Sequence, residues 1–422
     1  MQAVRGMRDL FGDSLDKFNA VVEKAKYFAN LYNFTELQTP IVEHSEIFER
    51  NLGENSEIVL KEMYKFQDKG GNNLSLRPEF TAGVVRAVIS NPELENYPHK
   101  KFFSFGPIFR YERPQKGRYR QFHQINFEYF GNPGHLADVE IIYMGNSFLR
   151  SLGLSATLEI NSLGSKGSRE RYEDALREYF GKYFGDLSEL SKQRLEKNAL
   201  RILDSKEESD KKLLPGAPKI KDFYTLDDRE FFSNILNKLD LLRVKYLINP
   251  NLVRGLDYYT STVFEFTATE LGAQSTALAG GRYDDLVEQM GGKNTPSVGF
   301  GAGIERLSLL IKQPRPKTRP IGLICIGEKE IDYCLRLQAM LRENGFNAEG
   351  FFSGKIKQKL TLADKINCKY AIIVGEEEIM EKKLGIKNLD SGEEKKIEEN
   401  NIMNFLKSVS EEDIARRAGN EL

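Results

Sequence analysis

A dense run of basic side chains occurs in FRYERPQKGRYRQFHQ, residues 109–124. Pro114 and Gly117 favour a turn, so this run is predicted to be a hairpin loop between two strands. A loop this basic suits a polyanion, either nucleotide phosphates, RNA or both. The alternative is a solvated basic loop, and the strands that bracket it and Phe122 favour binding. The loop contains Arg110, Glu112, Arg113, Lys116, Arg118 and Arg120.

A second candidate segment is LVRGLDYYTSTVFEF, residues 252–266. Its β-branched and aromatic content predicts strand character over 252–270. Arg254 and Asp257 flank Gly255, which permits a sharp backbone. On a strand, Tyr258 and Tyr259 would face opposite sides, and such a pair is more often core than ligand pocket.

A third segment is rich in glycine: AGGRYDDL (279–286) followed by GGKNTPSVGFGAGIERL (291–307). Glycines at 291, 292, 299 and 301 would let the backbone approach a ligand closely, although core packing explains them equally well. Gly303 then opens a helix that carries Glu305 and Arg306. The pattern is neither a dinucleotide fingerprint nor a phosphate-binding G-K-[ST] loop.

The elements that must position these residues alternate irregularly, which favours an α+β fold over a regular βαβ series. Apolar periodicity predicts helices over 14–33 and 138–152, and alternation predicts strands over 72–76, 101–110, 121–131, 156–164 and 277–283. Residues 165–245 are charged and helical, broken by Pro and Gly at 213–220, and are predicted to be a helical insertion.

A Pro-rich basic stretch, KQPRPKTRP (312–320), predicts a linker to a separate α/β domain of alternating strands and helices. The predicted domains are 1–318 and 319–422. In the second domain, Lys355, Lys357 and Lys359 are candidates for a basic face.

Composition limits the class of protein. Lys and Arg number 61 against 62 Asp and Glu, for a net charge of -1, so a nucleic-acid contact requires a local basic patch. Three cysteines and four histidines without metal-ligand spacing make a disulfide framework or a structural zinc site improbable. No apolar run is long enough for a membrane span, and the N-terminus lacks a signal peptide core, so we expect a cytoplasmic protein without membrane attachment.

Taken in order, the segments resemble the three motifs of class II aminoacyl-tRNA synthetases, and specifically the histidyl-tRNA synthetases. Motif 1 is similar to NFTELQTPIVE (33–43), motif 2 to FRYE–loop–RQFHQINFE (109–128) and motif 3 to GFGAGIERL (299–307). RGLDYYTSTVFE and AGGRYDDL resemble the histidyl-specific pair. RGMRDLFG (5–12), LRPEFTA (76–82) and IIVGEEE (372–378) extend the likeness, and 165–245 matches least. Motif 1 begins with Asn33 where Gly is usual; Asn tolerates left-handed backbone, so the turn is expected to be kept.

The resemblance implies a class II catalytic domain, with an antiparallel sheet flanked by helices and a helical insertion, followed by an α/β anticodon-binding domain. It also implies two steps: histidine and ATP give histidyl-adenylate, and histidine then moves to the 3′ end of tRNA(His). Arg110 and Arg254 resemble the residues at the α-phosphate. Mg²⁺ is expected mainly on the outer ATP phosphates, without a dedicated protein metal site.

For the adenine, the resemblance places Phe122 on one face of the ring and Arg306 on the other. It assigns Glu112 to the adenine amino group and Arg118 to the outer phosphates.

For the amino acid, Glu79, Thr81 and Gln124 match positions that hold the α-amino group. Glu128 and Tyr258 resemble the pair that reads the imidazole, and Tyr259 lies in the same matching segment.

For the remaining partners, Gln115 and Arg120 match positions near the acceptor end of tRNA. Motif 1 implies a homodimer.

Three other functions would share some of these features. The regulatory subunit of short-form ATP phosphoribosyltransferase has the same fold, but it resembles a synthetase stripped of catalytic motif residues and of the C-terminal domain, whereas Arg254, Arg306 and 321–422 are present here. A class II enzyme for proline or threonine is disfavoured by 254–265 and Glu128. An RNA-binding module without catalysis would not need Arg110, Glu112 and Arg306 together.

Overall fold

The computed structural model describes residues 1–51, 58–97, 100–115, 117–271, 276–311 and 319–409. The chain divides into two compact units, Met1–Arg315 and Pro316–Leu422. Most of the predicted linker, and Lys116 of the basic loop, lie outside the described residues.

The first unit contains an eight-stranded sheet and a separate three-stranded antiparallel sheet. The order in the large sheet is β1-β5-β6-β11-β10-β9-β7-β8, and the order in the small one is β2-β4-β3. The strands are β1 Thr35–Glu36, β2 Val42–His44, β3 Lys65–Gln67, β4 Asn73–Leu76, β5 Lys101–Phe109, β6 Gln121–Phe130, β7 Thr157–Ser162, β8 Tyr246–Ile248, β9 Thr262–Thr267, β10 Thr276–Arg282 and β11 Ser297–Gly303.

The central pairings of the large sheet, from β5 through β6, β11, β10 and β9 to β7, are all antiparallel, and only the outer pairs β1–β5 and β7–β8 are parallel. The predicted α+β class with an antiparallel sheet is therefore confirmed. Asn33 has φ 58°, so the left-handed turn expected at the start of motif 1 is present.

Helices flank this sheet because each buries one apolar stripe. The first, α1, buries Val21, Ala25, Phe28 and Ala29. The helices of the first unit are α1 Gly12–Leu31, α2 Glu46–Glu49, α3 Thr81–Ser90, α4 Pro92–Glu95, α5 His135–Ser151, α6 Lys166–Lys182, α7 Glu189–Lys197, α8 Glu208–Leu213, α9 Leu226–Leu241, α10 Leu286–Gln289 and α11 Ile304–Leu310, with a π-helical turn at Ile58–Glu62 and 3₁₀ turns at Phe184–Asp186, Ala199–Ile202, Leu214–Gly216, Ile220–Phe223 and Thr269–Leu271.

The predicted insertion is helical, and α6 to α9 all fall between β7 and β8. It has internal polar anchors: the carboxylate of Asp210 accepts hydrogen bonds from the hydroxyls of Ser188, Ser191 and Ser205 at 2.7, 2.6 and 2.5 Å. Satisfied buried bonds of this kind give the insertion a defined shape.

The second unit is an α/β domain with strand order β13-β12-β14-β15-β16. Strands β13, β12 and β14 are parallel, and β15 and β16 add antiparallel edges. Its elements are β12 Ile321–Cys325, α12 Ile331–Glu343, β13 Ala348–Phe351, α13 Ile356–Lys365, β14 Tyr370–Val374, α14 Glu376–Glu381, β15 Lys383–Asn388 and β16 Glu394–Glu398, followed by a 3₁₀ turn at Glu399–Asn401.

The prediction of a basic face is wrong for one of its three lysines. Lys359 is 2% exposed, and its ammonium group donates to the carbonyl of Cys325 inside the domain. Lys355 and Lys357 remain exposed. The period of α13 turns Lys359 inward, so the basic face is smaller than the sequence predicts.

None of the helices in the described ranges is long and apolar enough to cross a bilayer.

Candidate functional site

A cavity of about 280 Å³ in the first unit brings together every residue predicted to bind ATP or the amino acid. It is lined by the strands β6 and β11, the start of α3, the loop before β9 and the basic hairpin. The predicted residues in its wall are Glu79, Thr81, Arg110, Glu112, Arg118, Phe122, Gln124, Glu128, Arg254, Tyr258, Tyr259 and Arg306.

Strand β6 supplies a row of polar side chains to this cavity. Gln124, Asn126 and Glu128 alternate along the strand and therefore share one face. Their partners on β11 are Gly303, Gly301 and Gly299. These three side chains fit because the glycines of the neighbouring strand leave space for them.

The glycines of β11 leave the space that these side chains occupy. A Cβ added to Gly299 would lie 1.8 Å from Oε2 of Glu128, and one added to Gly301 would lie 2.0 Å from Nε2 of Gln124. These glycines thus make room for the protein's own side chains. Gly291 and Gly292, for which approach to a ligand and core packing were both open, do not line the cavity.

Glu128 is the best-connected acid in the cavity. Its carboxylate accepts hydrogen bonds from Thr81 Oγ1 at 2.5 Å, from Asn126 Nδ2 at 2.6 Å and from the hydroxyl of Tyr283. The residue is 2% exposed, and burial raises the pKa of its carboxyl to about 7. An acid held in this way can ionise near neutral pH beside a ligand that donates a proton or a hydrogen bond.

Glu79 has a structural partner as well as a place in the wall. Its carboxylate accepts from the backbone N–H groups of Thr81 at 2.6 Å and Ala82 at 2.8 Å, so it satisfies two free N–H groups at the start of α3. Burial raises the pKa of this carboxyl too. We call Glu79 and Glu128, with Thr81, Asn126 and Tyr283, the carboxylate set.

The positive side chains of the cavity form the arginine set: Arg110, Arg118, Arg254 and Arg306. Arg110 donates to the carbonyl of Pro78 at 2.9 Å, and Arg306 donates to the carbonyl of Thr276 at 2.8 Å. Burial lowers the pKa of Arg306, and neighbouring arginine charge adds to that effect. Concentrated positive charge of this kind is suited to a polyphosphate.

Three arginines of this set are paired with carboxylates, and in the case of Arg110 the distance to Glu112 is 4.0 Å. Arg118 lies 2.8 Å from Glu112, and Arg254 lies 2.8 Å from Glu265 of β9. These pairs hold the guanidinium groups in place while leaving other N–H groups for a ligand.

The prediction for 252–270 is wrong in its first half. The strand is Thr262–Thr267 only, and residues 252–261 form turns and loop. Tyr258 and Tyr259 therefore do not face opposite sides. Their ring centroids are 4.7 Å apart, both are buried, and both line the cavity.

Gln115 and Arg120 are not in the cavity wall. Gln115 is exposed at the tip of the hairpin, where it bridges to Arg118. Arg120 lies at the base, with its guanidinium 3.6 Å above the ring centroid of Tyr111 and its Nε donating to the carbonyl of Glu112. Of these two hairpin residues, Gln115 faces solvent and Arg120 packs against the base.

Sequence reasoning assigned no role to Asn126, Tyr283 or the pair His123–Glu305. Glu305 is 2.8 Å from both the backbone N and the ring Nδ1 of His123, and it ties β6 to α11. The sequence carries a signal for two of these residues. Asn126 is two positions from Glu128 and therefore lies on the same face of the strand, and Tyr283 lies within AGGRYDDL.

Across the described ranges, no group of three or more His, Cys, Asp or Glu side chains is placed to hold a metal ion.

Comparisons with known proteins agree with this geometry. The profile of the family described as Histidyl-tRNA synthetase matches residues 6–307, and that of the Anticodon binding domain matches 321–409. The chain is 49% identical to the histidine–tRNA ligase of Wolbachia pipientis wMel, over 95% of this chain and 98% of the relative. The solved apo histidyl-tRNA synthetase of S. aureus is 31% identical, with TM-score 0.81 over 96% of this chain and 99% of that one.

A structure titled as an ATP phosphoribosyltransferase regulatory subunit/histidyl-tRNA synthetase, from Bacillus halodurans, shares the fold at TM-score 0.60 and 23% identity, over 83% of this chain and 92% of that one. The match to the ligases covers the catalytic motifs and the second domain. It therefore argues against the hypothesis that the chain is a phosphoribosyltransferase regulatory subunit. From its motifs, its cavity and these matches, the chain belongs to the histidyl-tRNA synthetases, class II aminoacyl-tRNA synthetases that act as histidine–tRNA ligases.

Proposed function

We propose that the cavity carries out histidine activation, in which histidine and ATP give histidyl-adenylate and pyrophosphate, before histidine is transferred to the 3′ end of tRNA(His). The observation that supports this most strongly is the meeting of the arginine set and the carboxylate set in one cavity. The reaction brings a carboxylate to a triphosphate, so fixed positive charge must offset their repulsion.

Arg110 and Arg254 are proposed to hold the α-phosphate, and their charge stabilises the transition state there. Both side chains are partly shielded from solvent, with exposures of 22% for Arg110 and 23% for Arg254. The buried Nε of Arg254 has no hydrogen-bond partner among the described residues, so a donor remains for a ligand. The permanent charge and forked geometry of Arg suit a phosphate.

Phe122 and Arg306 are proposed to sandwich the adenine, with Glu112 at its amino group and Arg118 near the outer phosphates. Their common place in the cavity wall supports this. Mg²⁺ is proposed to enter on the ATP phosphates, where it would neutralise negative charge.

Histidine is proposed to bind at the carboxylate set. Glu79, Thr81 and Gln124 would receive the α-amino group, and Glu128 and Tyr258 would read the imidazole, with Tyr259 beside them. The backbone bonds of Glu79 leave lone pairs on its carboxylate for an ammonium group. The wrong amino acid would leave buried polar atoms unpaired, which can discriminate by roughly 10⁴–10⁵-fold.

The hairpin residues Gln115 and Arg120 are proposed to meet the acceptor end of the tRNA, and the second domain to bind the anticodon. The protein is proposed to be a cytoplasmic homodimer. Two exposed apolar residues of motif 1, Ile41 and Val42, each 41% exposed, support a subunit interface there.

The direct test is amino-acid-dependent ATP–pyrophosphate exchange with each of the twenty amino acids, with and without Mg²⁺. We expect exchange with histidine alone, and only when Mg²⁺ is present. Faster exchange with another amino acid would refute the assignment of the carboxylate set.

A further inference from the structure

The loop that carries Arg254, Tyr258 and Tyr259 is held at both ends by the helical insertion. At its start, Arg201 of the insertion donates from Nη2 to the carbonyl of Gly255 at 2.8 Å. At its end, Arg169 of α6 donates from Nη1 to the carbonyl of Tyr259 at 2.6 Å. Two arginines from distant parts of the insertion therefore bracket the segment 255–259.

The loop is also fixed in its middle. Arg201 contacts Oδ1 of Asp257 from Nη2 at 2.7 Å and from Nε at 3.1 Å, and Asn198 adds a bond to the same oxygen at 3.1 Å. The side chains of Arg201 and Asp257 are only 18% and 29% exposed. A multidentate, charge-assisted contact of this kind is stronger and more directional than a surface ion pair.

Apolar packing adds to these polar anchors. Tyr258 and Tyr259 belong to one buried cluster with Tyr172, Leu200 and Ile202 of the insertion. Residues 252–261 form no strand that could hold them to the sheet. The insertion thus supplies the wall against which this part of the cavity is formed.

We infer that the helical insertion is a positioning element of the activation site, with Arg201 and Arg169 as its positioning residues. Neither residue lines the cavity; each acts on Arg254, Tyr258 and Tyr259 through the backbone of the loop. This inference rests on the proposed activation reaction at that cavity.

The expected effect is intermediate in size. A misplacement of about 1 Å at a reacting group can cost about 10²-fold in rate. Arg254 has a second anchor, its 2.8 Å contact with Glu265 on β9, which survives when Arg201 is changed. We therefore expect Arg201→Ala to lower kcat for pyrophosphate exchange by roughly 10-fold, with KM for ATP changed by less than about 3-fold.

Arg171→Ala is the matched control. Arg171 lies on α6 with Arg169 and, like Arg201, donates to a backbone carbonyl. Its acceptor is the carbonyl of Phe223 at 2.9 Å, so this bond stays within the insertion. Its loss should lower thermal stability without changing kcat. Arg201→Lys keeps the charge without the fork and should fall between wild type and Arg201→Ala.

A double-mutant cycle separates positioning from general destabilisation. If Arg201 acts through Asp257, the variant carrying Arg201→Ala and Asp257→Ala should be no slower than the slower single variant. The inference would be overturned if the losses in kcat of the two single variants multiplied in the double variant. It would also be overturned if Arg201→Ala were as active as Arg171→Ala. Should Arg201→Ala fail to fold, Asp257→Asn and Arg169→Lys carry the same test with smaller changes.

Arg254→Ala distinguishes this inference from the proposed function. A large loss in Arg254→Ala with none in Arg201→Ala would refute the positioning role while the α-phosphate site stands. A loss in Arg201→Ala with none in Arg254→Ala would refute the α-phosphate role, and the insertion would then act on the cavity through Tyr258 and Tyr259.

Discussion

The arginine set and the carboxylate set differ in their access to water. Side-chain exposures of Arg110, Arg118 and Arg254 are 22%, 36% and 23%, whereas Glu79 and Glu128 are 3% and 2% exposed. The arginines remain partly solvated and can exchange contacts when a phosphate arrives. The carboxylates are buried, so a ligand that leaves their remaining lone pairs without a donor incurs a free-energy cost. One cavity thus separates charge stabilisation from amino-acid recognition.

The largest loss of activity is expected when a member of the arginine set is removed. Arg254→Ala should lower kcat for histidyl-adenylate formation by about 10²–10³-fold and raise KM for ATP much less, because its charge acts most in the transition state. Pyrophosphate exchange over a range of ATP concentrations measures both. Arg177→Ala, which removes ion pairs with Glu173 and Asp174 on α6 and does not line the cavity, is the control. A normal kcat in Arg254→Ala would make this residue structural.

The next effect is on the carboxylate set. Glu128→Gln keeps the shape but removes the negative charge, so KM for histidine should rise by roughly 10–100-fold, the value of one charge-assisted hydrogen bond. KM for ATP should change little. Saturation curves in both substrates check this, and equal increases in the two constants would remove the distinction between the two sets.

A smaller effect is expected on stability as a function of pH. Because burial raises the pKa of Glu128 to about 7, its folded carboxyl binds more protons than an ordinary carboxyl between pH 4.5 and 7. Its contribution to the free energy of unfolding must therefore fall as pH rises through this window. The stability of Glu128→Gln relative to wild type should rise by up to about 3 kcal/mol from pH 4.5 to 7, measured by urea unfolding. Parallel stability curves would contradict the raised pKa.

The smallest expected effect on activation comes from the hairpin. Gln115 is exposed and outside the cavity wall, so Gln115→Ala should leave pyrophosphate exchange within about 2-fold of wild type while slowing transfer of histidine to tRNA. Arg120→Lys is a useful companion because Arg120 contacts the backbone of Glu112. Loss of exchange in Gln115→Ala would assign the tip to the ATP site.

Local elements were predictable because short-range patterns determine them. The helix predicted over 14–33 is observed at Gly12–Leu31, and the strand predicted over 121–131 at Gln121–Phe130. The cavity residues followed from motif resemblance, and the structure brings them together. Their roles in binding and catalysis stay predictions.

Features that depend on contacts between distant segments escaped sequence reasoning. Residues 252–261 have the aromatic composition of a strand, yet Arg201 and Arg169 hold that backbone as a loop. The hydrogen bond from Tyr283 to Glu128 joins residues 155 positions apart, so no local pattern reveals it. The prediction for Lys359 is wrong because its ammonium group is buried by a hydrogen bond to the carbonyl of Cys325, 34 positions away, which the spacing of the lysines does not reveal.

The bracketed loop also has a consequence for folding kinetics. The contacts of Arg201 and Arg169 with the loop span 54 and 90 positions of the chain, whereas each helix of the insertion is formed by local contacts. Contacts of long sequence separation form late, because the intervening chain must first be ordered. We therefore expect refolding protein to recover its helical circular dichroism before it recovers histidine activation, with the delay set by docking of the insertion onto residues 254–259.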